Sequence, residues 1–192
     1  MIISISGYPG SGKTSVGKIL AQKLGLSFYS MGALRGKMAR ERGMTIDELN
    51  ALGENEAFTD KEVDDYQKEL GKKEDRFVIE GRLSWHFIPN SFKVFLTCDP
   101  SEAARRIFEA RKRMEEGRDD EPKYENVTQA EDEIRKRMES DDRRYQKYYG
   151  VDYKDPANYD AVQDTTTMTG PEETAETIYK ELIRRGVLKG TA

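Results

Sequence analysis

The apolar positions of the chain fall into short runs that alternate with longer segments of helical periodicity. Val16, Ile19, Leu20 and Leu24 are spaced three or four residues apart, which is typical of an amphipathic helix. The predicted strands are residues 2–6, 26–29, 76–80, 92–98 and 160–164. Strands that alternate with helices predict an α/β fold, here a five-stranded parallel sheet flanked by helices.

One helical segment is too long to be a single crossover between neighbouring strands. Residues 31–72 contain several helical patterns, and we expect them to form an inserted substrate-binding arm. Residues 112–128 carry almost no apolar side chains and predict a short lid. The remaining segments, 1–30, 73–111 and 129–192, would form the core of one domain, which suits a chain of 192 residues.

The loop after the first predicted strand carries the full pattern G-x-x-x-x-G-K-T. It consists of Gly7, Tyr8, Pro9, Gly10, Ser11, Gly12, Lys13 and Thr14, with Ser15 next. Glycines allow successive backbone N–H groups to face phosphate oxygens, and the following helix directs its positive end to the same place. Lys13 supplies a cation for the β- and γ-phosphates, and Thr14 supplies a hydroxyl ligand for Mg²⁺. The motif therefore predicts a P-loop that binds ATP with Mg²⁺.

This motif occurs in kinases, GTPases and motor ATPases, so other features must separate these classes. GTPases usually carry a downstream N-K-x-D motif that reads the base, and this sequence contains none. A chain of this length with a lid-like segment is typical of a small-molecule kinase. We therefore expect an enzyme that transfers the γ-phosphate of ATP to a small acceptor.

Composition narrows the possible partners and the compartment. Charged residues make up 35% of the chain, yet the net charge is only −4 and both signs alternate along the predicted helices. Such a pattern indicates solvated surfaces and no nucleic-acid footprint. No apolar run approaches the roughly 20 residues that span a bilayer. Cys98 is the single cysteine, so no disulfide can form within the chain. We expect a cytoplasmic protein that binds neither nucleic acid nor membrane.

Four segments together resemble the nucleoside monophosphate kinases, and most closely the archaeal type of cytidylate kinase. They read GYPGSGKTSVGKILAQKLG, SMGALRGKMARERGM, VIEGRLS and DAVQDTT, and they extend along nearly the whole chain. The resemblance implies a P-loop kinase with a nucleotide-binding arm that transfers phosphate from Mg·ATP to CMP or dCMP. We expect it to act as a monomer on small-molecule nucleotides.

The resemblance also assigns roles to residues beyond the P-loop. Gly81 would let the acceptor approach the backbone, and Arg82 would grip the acceptor's phosphate. Bacterial cytidylate kinases carry an arginine, an aspartate four residues later and an arginine seven residues later on the helix after the lid. Arg137, Asp141 and Arg144 have this spacing, so Asp141 would hold two guanidiniums that clamp the phosphates. A solvated ladder of salt bridges on a charged helix would have the same spacing.

The family pattern is not met at one position of the predicted arm. In the family, a S/T-x-G pattern is followed by an arginine four residues after the glycine. Ser30 and Gly32 fit this pattern, but Gly36 stands where the arginine belongs and Arg35 comes one residue early. One residue corresponds to about 100° around a helix. Either the helix start is shifted, or Arg35 has a different role, or later cations on the same helix contribute.

Two arginines before the lid, Arg106 and Arg111, are expected to contact ATP, although a solvated helix face would show the same pattern. The predicted catalytic residues are Lys13, Arg82, Arg137 and Arg144. No general base is required, because the acceptor oxygen is already anionic. The change at Gly36 leaves two alternatives open. The protein could be a kinase of another nucleotide or small acceptor, or a P-loop sensor whose acceptor site has degenerated.

Overall fold

The computed structural model describes residues 1–56, 58–113 and 124–188. Within these ranges the strands and helices are β1 (Ile2–Gly7), α1 (Lys13–Leu24), β2 (Ser27–Ser30), α2 (Met31–Glu41), α3 (Ile46–Gly53), α4 (Phe58–Lys73), β3 (Phe77–Glu80), α5 (Ser84–Phe87), β4 (Phe92–Thr97), α6 (Pro100–Arg113), α7 (Val127–Tyr149), β5 (Ala161–Asp164) and α8 (Pro171–Arg184). The predicted lid at 112–128 lies largely outside the described residues, which omit 114–123.

The five strands form one parallel sheet in the order β2-β3-β1-β4-β5. At the centre, Ile5 of β1 lies beside Glu80 of β3, and Gly7 lies beside Leu96 of β4. The predicted five-stranded parallel sheet flanked by helices is therefore confirmed. Because β1 is the middle strand, the loop after it occupies the centre of the carboxyl edge, where open α/β sheets bind their ligands.

Helices cover both faces of the sheet, as its apolar central strands require. On one face, the apolar sides of α1 and α8 pack against β1 and β4. This cluster includes Val16, Leu20, Ile178, Leu182, Ile3, Ile5, Val94 and Leu96. On the other face, the helices of residues 31–72 bury Met31, Met38, Leu49, Val63 and Leu70 against Ile2, Phe77, Ile79 and Ile88. The predicted arm thus shares a hydrophobic core with β1 and β3.

Local signals set most of the helix boundaries. Thr45 and Glu48 form a capping box at the start of α3, and Gly25 ends α1 in the left-handed conformation. Periodicity cannot reveal α5, because four residues are too few to show a helical repeat. No helix within the described ranges is both long and apolar enough to cross a membrane.

Candidate active site

A cavity of about 760 Å³ lies at the carboxyl edge of the sheet, with the loop after β1 in its wall. Two sets of helices line it on either side of that loop. The arm side includes Gly32, Arg35, Asn50, Asp60, Val63, Asp64 and Gln67 from α2, α3 and α4. The α6 side includes Glu102, Arg106, Arg111, Thr165 and Thr169. The order of the strands produces this division, since β2 and β3 lie on one side of β1 and β4 and β5 on the other.

The loop after β1 keeps its shape through close backbone packing. Gly7 and Gly10 have φ angles of 145° and 74°. A Cβ atom would lie 2.2 Å from the carbonyl oxygen of Leu96 at the first position and 2.6 Å from that of Ala103 at the second. Both positions therefore require glycine. Gly12 precedes α1 as its N-cap and has no side chain to bind the first N–H groups, which are left for an anionic ligand.

Lys13 is held in the cavity by the backbone of its own loop. Its Nζ atom donates a hydrogen bond to the carbonyl oxygen of Tyr8 over 2.6 Å. Burial lowers the pKa of Lys13 to about 7, and the nearby guanidinium of Arg82 adds to this effect. A phosphate in the cavity would favour the charged form of the amine again.

Two hydroxyl groups converge on Glu80 at the end of β3. Thr14 Oγ1 donates to Glu80 Oε1 over 3.0 Å, and Ser30 Oγ donates to the same oxygen over 2.5 Å. Thr14 and Glu80 both line the cavity. Mg²⁺ in kinases takes one or two protein oxygens together with phosphate oxygens and water. Two protein oxygens beside the phosphate loop therefore fit an ion that the nucleotide helps to bind. Among the described residues, no group of three or more acidic, histidine or cysteine side chains could hold a metal ion.

A buried ion-pair cluster joins β3 to α7. Asp141 accepts hydrogen bonds from Arg82 Nε over 2.7 Å and from Arg144 Nη2. Asp141 is 3% exposed and Arg144 is 2% exposed, which excludes a solvated salt-bridge ladder for this pair. Burial alone would raise the pKa of Asp141, but the guanidiniums of Arg82, Arg144 and Arg137 lower it to about 2. Arg82 Nη1 also donates to the carbonyl oxygen of Gly7 over 3.1 Å, which ties the cluster to the phosphate loop.

The prediction that Asp141 holds both Arg137 and Arg144 is wrong for Arg137. Arg82 reaches Asp141 from the end of β3 and binds one carboxylate oxygen, and Arg144 binds the other. Arg137 lines the cavity, and its Nε atom is buried with no hydrogen-bond partner among the described residues. An unpaired buried donor costs free energy, and a phosphate oxygen in the cavity would satisfy it.

The shifted arginine of the arm, Arg35, lines the cavity, whereas Gly36 is buried on the packing face of α2. Arg35 Nε donates to Asn50 Oδ1 and Arg35 Nη1 donates to Asp60 Oδ1, both over 2.8 Å. Asp60 also accepts two bonds from Arg144 Nη1 over 2.6 and 2.7 Å. Arg35 therefore anchors α2 to α3 and α4, and through Asp60 to α7.

On the α6 side, Arg106 is tied to the turn after β5. Its Nη2 atom donates to the carbonyl oxygens of Thr165 and Thr166 over 2.7 and 3.2 Å, and its Nε atom donates to Glu102 over 2.8 Å. These bonds fix α6 against the turn and leave Arg106 little capacity for the phosphates of ATP. Arg111, five residues further along α6, also lines the cavity.

Most of the predicted site residues meet in this cavity. Those that line it are Pro9, Gly10, Ser11, Gly12, Lys13, Thr14, Ser15, Gly32, Arg35, Gly81, Arg82, Arg106, Arg111, Arg137, Asp141 and Arg144. Three others do not line it. Gly7 is covered by Leu96, Tyr8 packs its ring edge-on against Phe95, and Ser30 caps α2.

Among the cavity residues that sequence reasoning missed, one group lies on the inner face of α4. Asp60, Val63, Asp64 and Gln67 recur at positions i, i+3, i+4 and i+7, so they share one face of the helix. The signal was present as spacing. It was hidden because most residues of α4 are charged or polar, and such residues on a helix are usually solvated.

Comparison with known proteins places this site in a family. The model of the cytidylate kinase-like family matches residues 2–167. The cytidylate kinase of Archaeoglobus fulgidus is 39% identical over 163 residues, which are 84% of each chain. An S-adenosylmethionine-dependent nucleotide dehydratase of Lacinutrix mariniflava is 33% identical over 172 residues, which are 88% of this chain and 33% of that protein. A shikimate kinase of Bacteroides thetaiotaomicron has the same fold, with a TM-score of 0.63 and 18% identity. The match covers 98% of this chain and 99% of that chain.

The family match covers the phosphate loop, the arm, β3 and β5. The kinase neighbours share the sheet and its flanking helices. ATP is accordingly the phosphate donor, and small nucleotides are the substrates. The chain belongs to the cytidylate kinase-like family and is an ATP-dependent nucleoside monophosphate kinase.

Proposed function

We propose that the enzyme phosphorylates CMP or dCMP, giving CDP or dCDP and ADP. The observation that carries this proposal is the continuous cavity that joins the phosphate loop to the guanidiniums of Arg82 and Arg137. It offers an anion site for each of the two phosphate groups that must react. The choice of cytosine rests on the family and on the trio Arg137, Asp141 and Arg144.

Catalysis would consist of positioning and charge neutralisation, because the acceptor oxygen is already an anion. Lys13 would contact the β- and γ-phosphates. Arg82, held by Asp141 and by the phosphate loop, would lie between the donor and acceptor phosphates, with Arg137 beside it. Both Nη atoms of Arg144 are bound to carboxylates, so Arg144 would orient Asp141 and would not touch phosphate in this arrangement.

Mg²⁺ would be held by the Thr14 hydroxyl directly and by Glu80 through water. When bound, the ion supplies positive charge to the β- and γ-phosphate oxygens. Ser30 would keep Glu80 in place through its hydrogen bond to Oε1.

The arm at 31–72 would bind the acceptor, and the lid at 112–128 would cover ATP. Both covers serve to exclude water, which would otherwise accept the phosphate. The α6 side would hold the rest of ATP, with Arg106 and Arg111 in its wall. A monomeric state and a cytoplasmic location remain expectations from the sequence.

The test is an ADP-release assay with Mg·ATP and equal concentrations of CMP, dCMP, UMP, AMP and GMP. We expect CMP and dCMP to give the highest kcat/KM. A preference for AMP or GMP would contradict the cytidine assignment and leave the kinase class intact. Turnover with none of the acceptors would favour a sensor with a degenerate acceptor site, the alternative that Gly36 suggests.

A further inference from the structure

Two buried polar side chains on the inner face of α4 have hydrogen-bonding capacity that the described residues do not use. Asp64 is 6% exposed and Gln67 is 2% exposed, and both line the cavity. Neither contributes to the phosphate sites described above. The inference drawn from them rests on the proposed function.

Gln67 has one half of its amide engaged. Ser84 Oγ donates a hydrogen bond to Gln67 Oε1 over 2.6 Å, which fixes the carbonyl oxygen on the side of α5. The amide nitrogen, Nε2, donates no hydrogen bond within the described part of the chain. Because Gln67 lines the cavity, this nitrogen is available to a ligand that carries an acceptor.

Asp64 is the matching acceptor. The Tyr149 hydroxyl donates a hydrogen bond to Asp64 Oδ2, and Oδ1 accepts none from the described residues. Burial raises the pKa of Asp64 to about 6, so the group is a carboxylate at neutral pH. The other charged groups that act on it are Asp60, Lys68 and Arg35.

The position of this pair suits the far end of an acceptor nucleotide. Asp60, which anchors Arg35 and Arg144, lies on the same face of α4, and Gln67 follows it by seven residues or about 10 Å along the helix. Val63 on this face and Leu83 above β3 add apolar surface to the wall. The wall thus carries guanidiniums at Asp60 and, one to two helical turns further along α4, one acceptor and one donor beside apolar side chains.

We infer that Asp64 and Gln67 read the base edge of the acceptor nucleotide. Asp64 accepts a hydrogen bond from an exocyclic amino group, and Gln67 donates one to the adjacent ring nitrogen. Cytosine offers this order of groups at N4 and N3. Uracil offers a carbonyl oxygen and an N–H group instead, so acceptor would face acceptor and donor would face donor. Adenine shares the amino-then-nitrogen order, so the pair separates amino bases from carbonyl bases.

The experiment compares kcat/KM for CMP, for UMP and for the monophosphate of pyrimidin-2-one riboside, which is CMP without its amino group. The proteins are the wild type, Asp64→Asn, Gln67→Met and the control Asp65→Asn. Asp65 is the next residue on α4, is 48% exposed and pairs with Lys61. KM for ATP and the melting temperature of each variant report whether the nucleotide site and the fold persist.

In the wild type, removal of the amino group should lower kcat/KM by about 10- to 100-fold, the usual range for a hydrogen bond to a charged group. Asp64→Asn should show a similar loss of kcat/KM with CMP and little further loss with the pyrimidin-2-one nucleotide. Its ratio of UMP to CMP turnover should rise, while Asp65→Asn stays like the wild type. Gln67→Met should lower kcat/KM about 10-fold both for CMP and for the pyrimidin-2-one nucleotide.

Three results would overturn the inference. Asp64→Asn could keep the CMP to UMP ratio within about twofold of the wild type. Removal of the amino group could lower kcat/KM by the same factor in the wild type and in Asp64→Asn. If Asp64→Asn does not fold, an unchanged CMP activity of Gln67→Met would be decisive. A wild type that phosphorylates no nucleotide refutes the proposed function, whereas a CMP kinase without this coupling refutes only the base-reading role.

Discussion

The loop after β1 and the arm side of the cavity handle buried charge in different ways. The loop is one contiguous segment whose backbone N–H groups, glycines and single lysine all lie between Gly7 and Thr14. The arm side assembles its charges from distant segments. Arg82 and Asp141 are 59 residues apart, and Asp60 and Arg144 are 84 residues apart.

This difference separates what each region needs from the rest of the protein. The loop depends on local backbone geometry, so its chemistry is legible as a motif. The arm side depends on buried ion pairs, in which each partner offsets the desolvation of the other. We therefore expect substitutions in the loop to affect mainly catalysis and substitutions in the ion pairs to affect mainly stability.

The largest effect should come from Asp60→Ala. Removing this carboxylate leaves the guanidiniums of Arg35 and Arg144 buried with fewer partners, which should cost about 3–5 kcal/mol of unfolding free energy. Urea unfolding monitored by circular dichroism measures it. The matched control is Asp65→Ala, whose exposed pair with Lys61 should contribute less than about 1 kcal/mol. Equal stability of the two variants would show that the pairs do not hold the arm.

The next effect concerns the loop. Lys13→Ala should lower kcat by about 10²–10³-fold, comparable to removing one donor from an oxyanion site. The fold should persist, because the lowered pKa indicates that burial disfavours the charged side chain in the free protein. Steady-state kinetics and thermal melting together check both statements. Near-full activity of the variant would mean that this loop is not the catalytic phosphate site.

The smallest effect is a change in proton binding. The pKa of Lys13 is about 7 in the free protein, so at pH 8 the amine is mostly neutral. Phosphates beside the amine raise its pKa toward the ordinary value of about 10.4, and ATP binding at pH 8 should take up close to one proton. Titration calorimetry in buffers of different ionisation enthalpy measures this uptake, and Lys13→Met provides the control. Equal uptake by both proteins would assign the proton to another group.

The sequence by itself determined the elements that depend on near neighbours. The strands follow from apolar runs, and the start of α3 follows from its capping box. The phosphate loop follows from glycines at positions where a side chain does not fit. Each of these signals lies within one short segment of the sequence, although the contacts that exclude a side chain at Gly7 and Gly10 come from Leu96 and Ala103. Their physics is therefore visible in the printed order of residues.

Tertiary structure alone decided the strand order, the partner of Asp141, the role of Arg35 and the burial of one face of α4. Asp141 has two arginines within one turn on its own helix, four residues before it and three residues after it, yet Arg82 from the end of β3 binds one of its oxygens. The sequence around Asp64 and Gln67 is typical of a solvated helix, but in the structure α7 and α5 cover these two side chains. Charged side chains have the same pattern on a surface and in a site, because only the packing of distant elements removes the water that distinguishes the two.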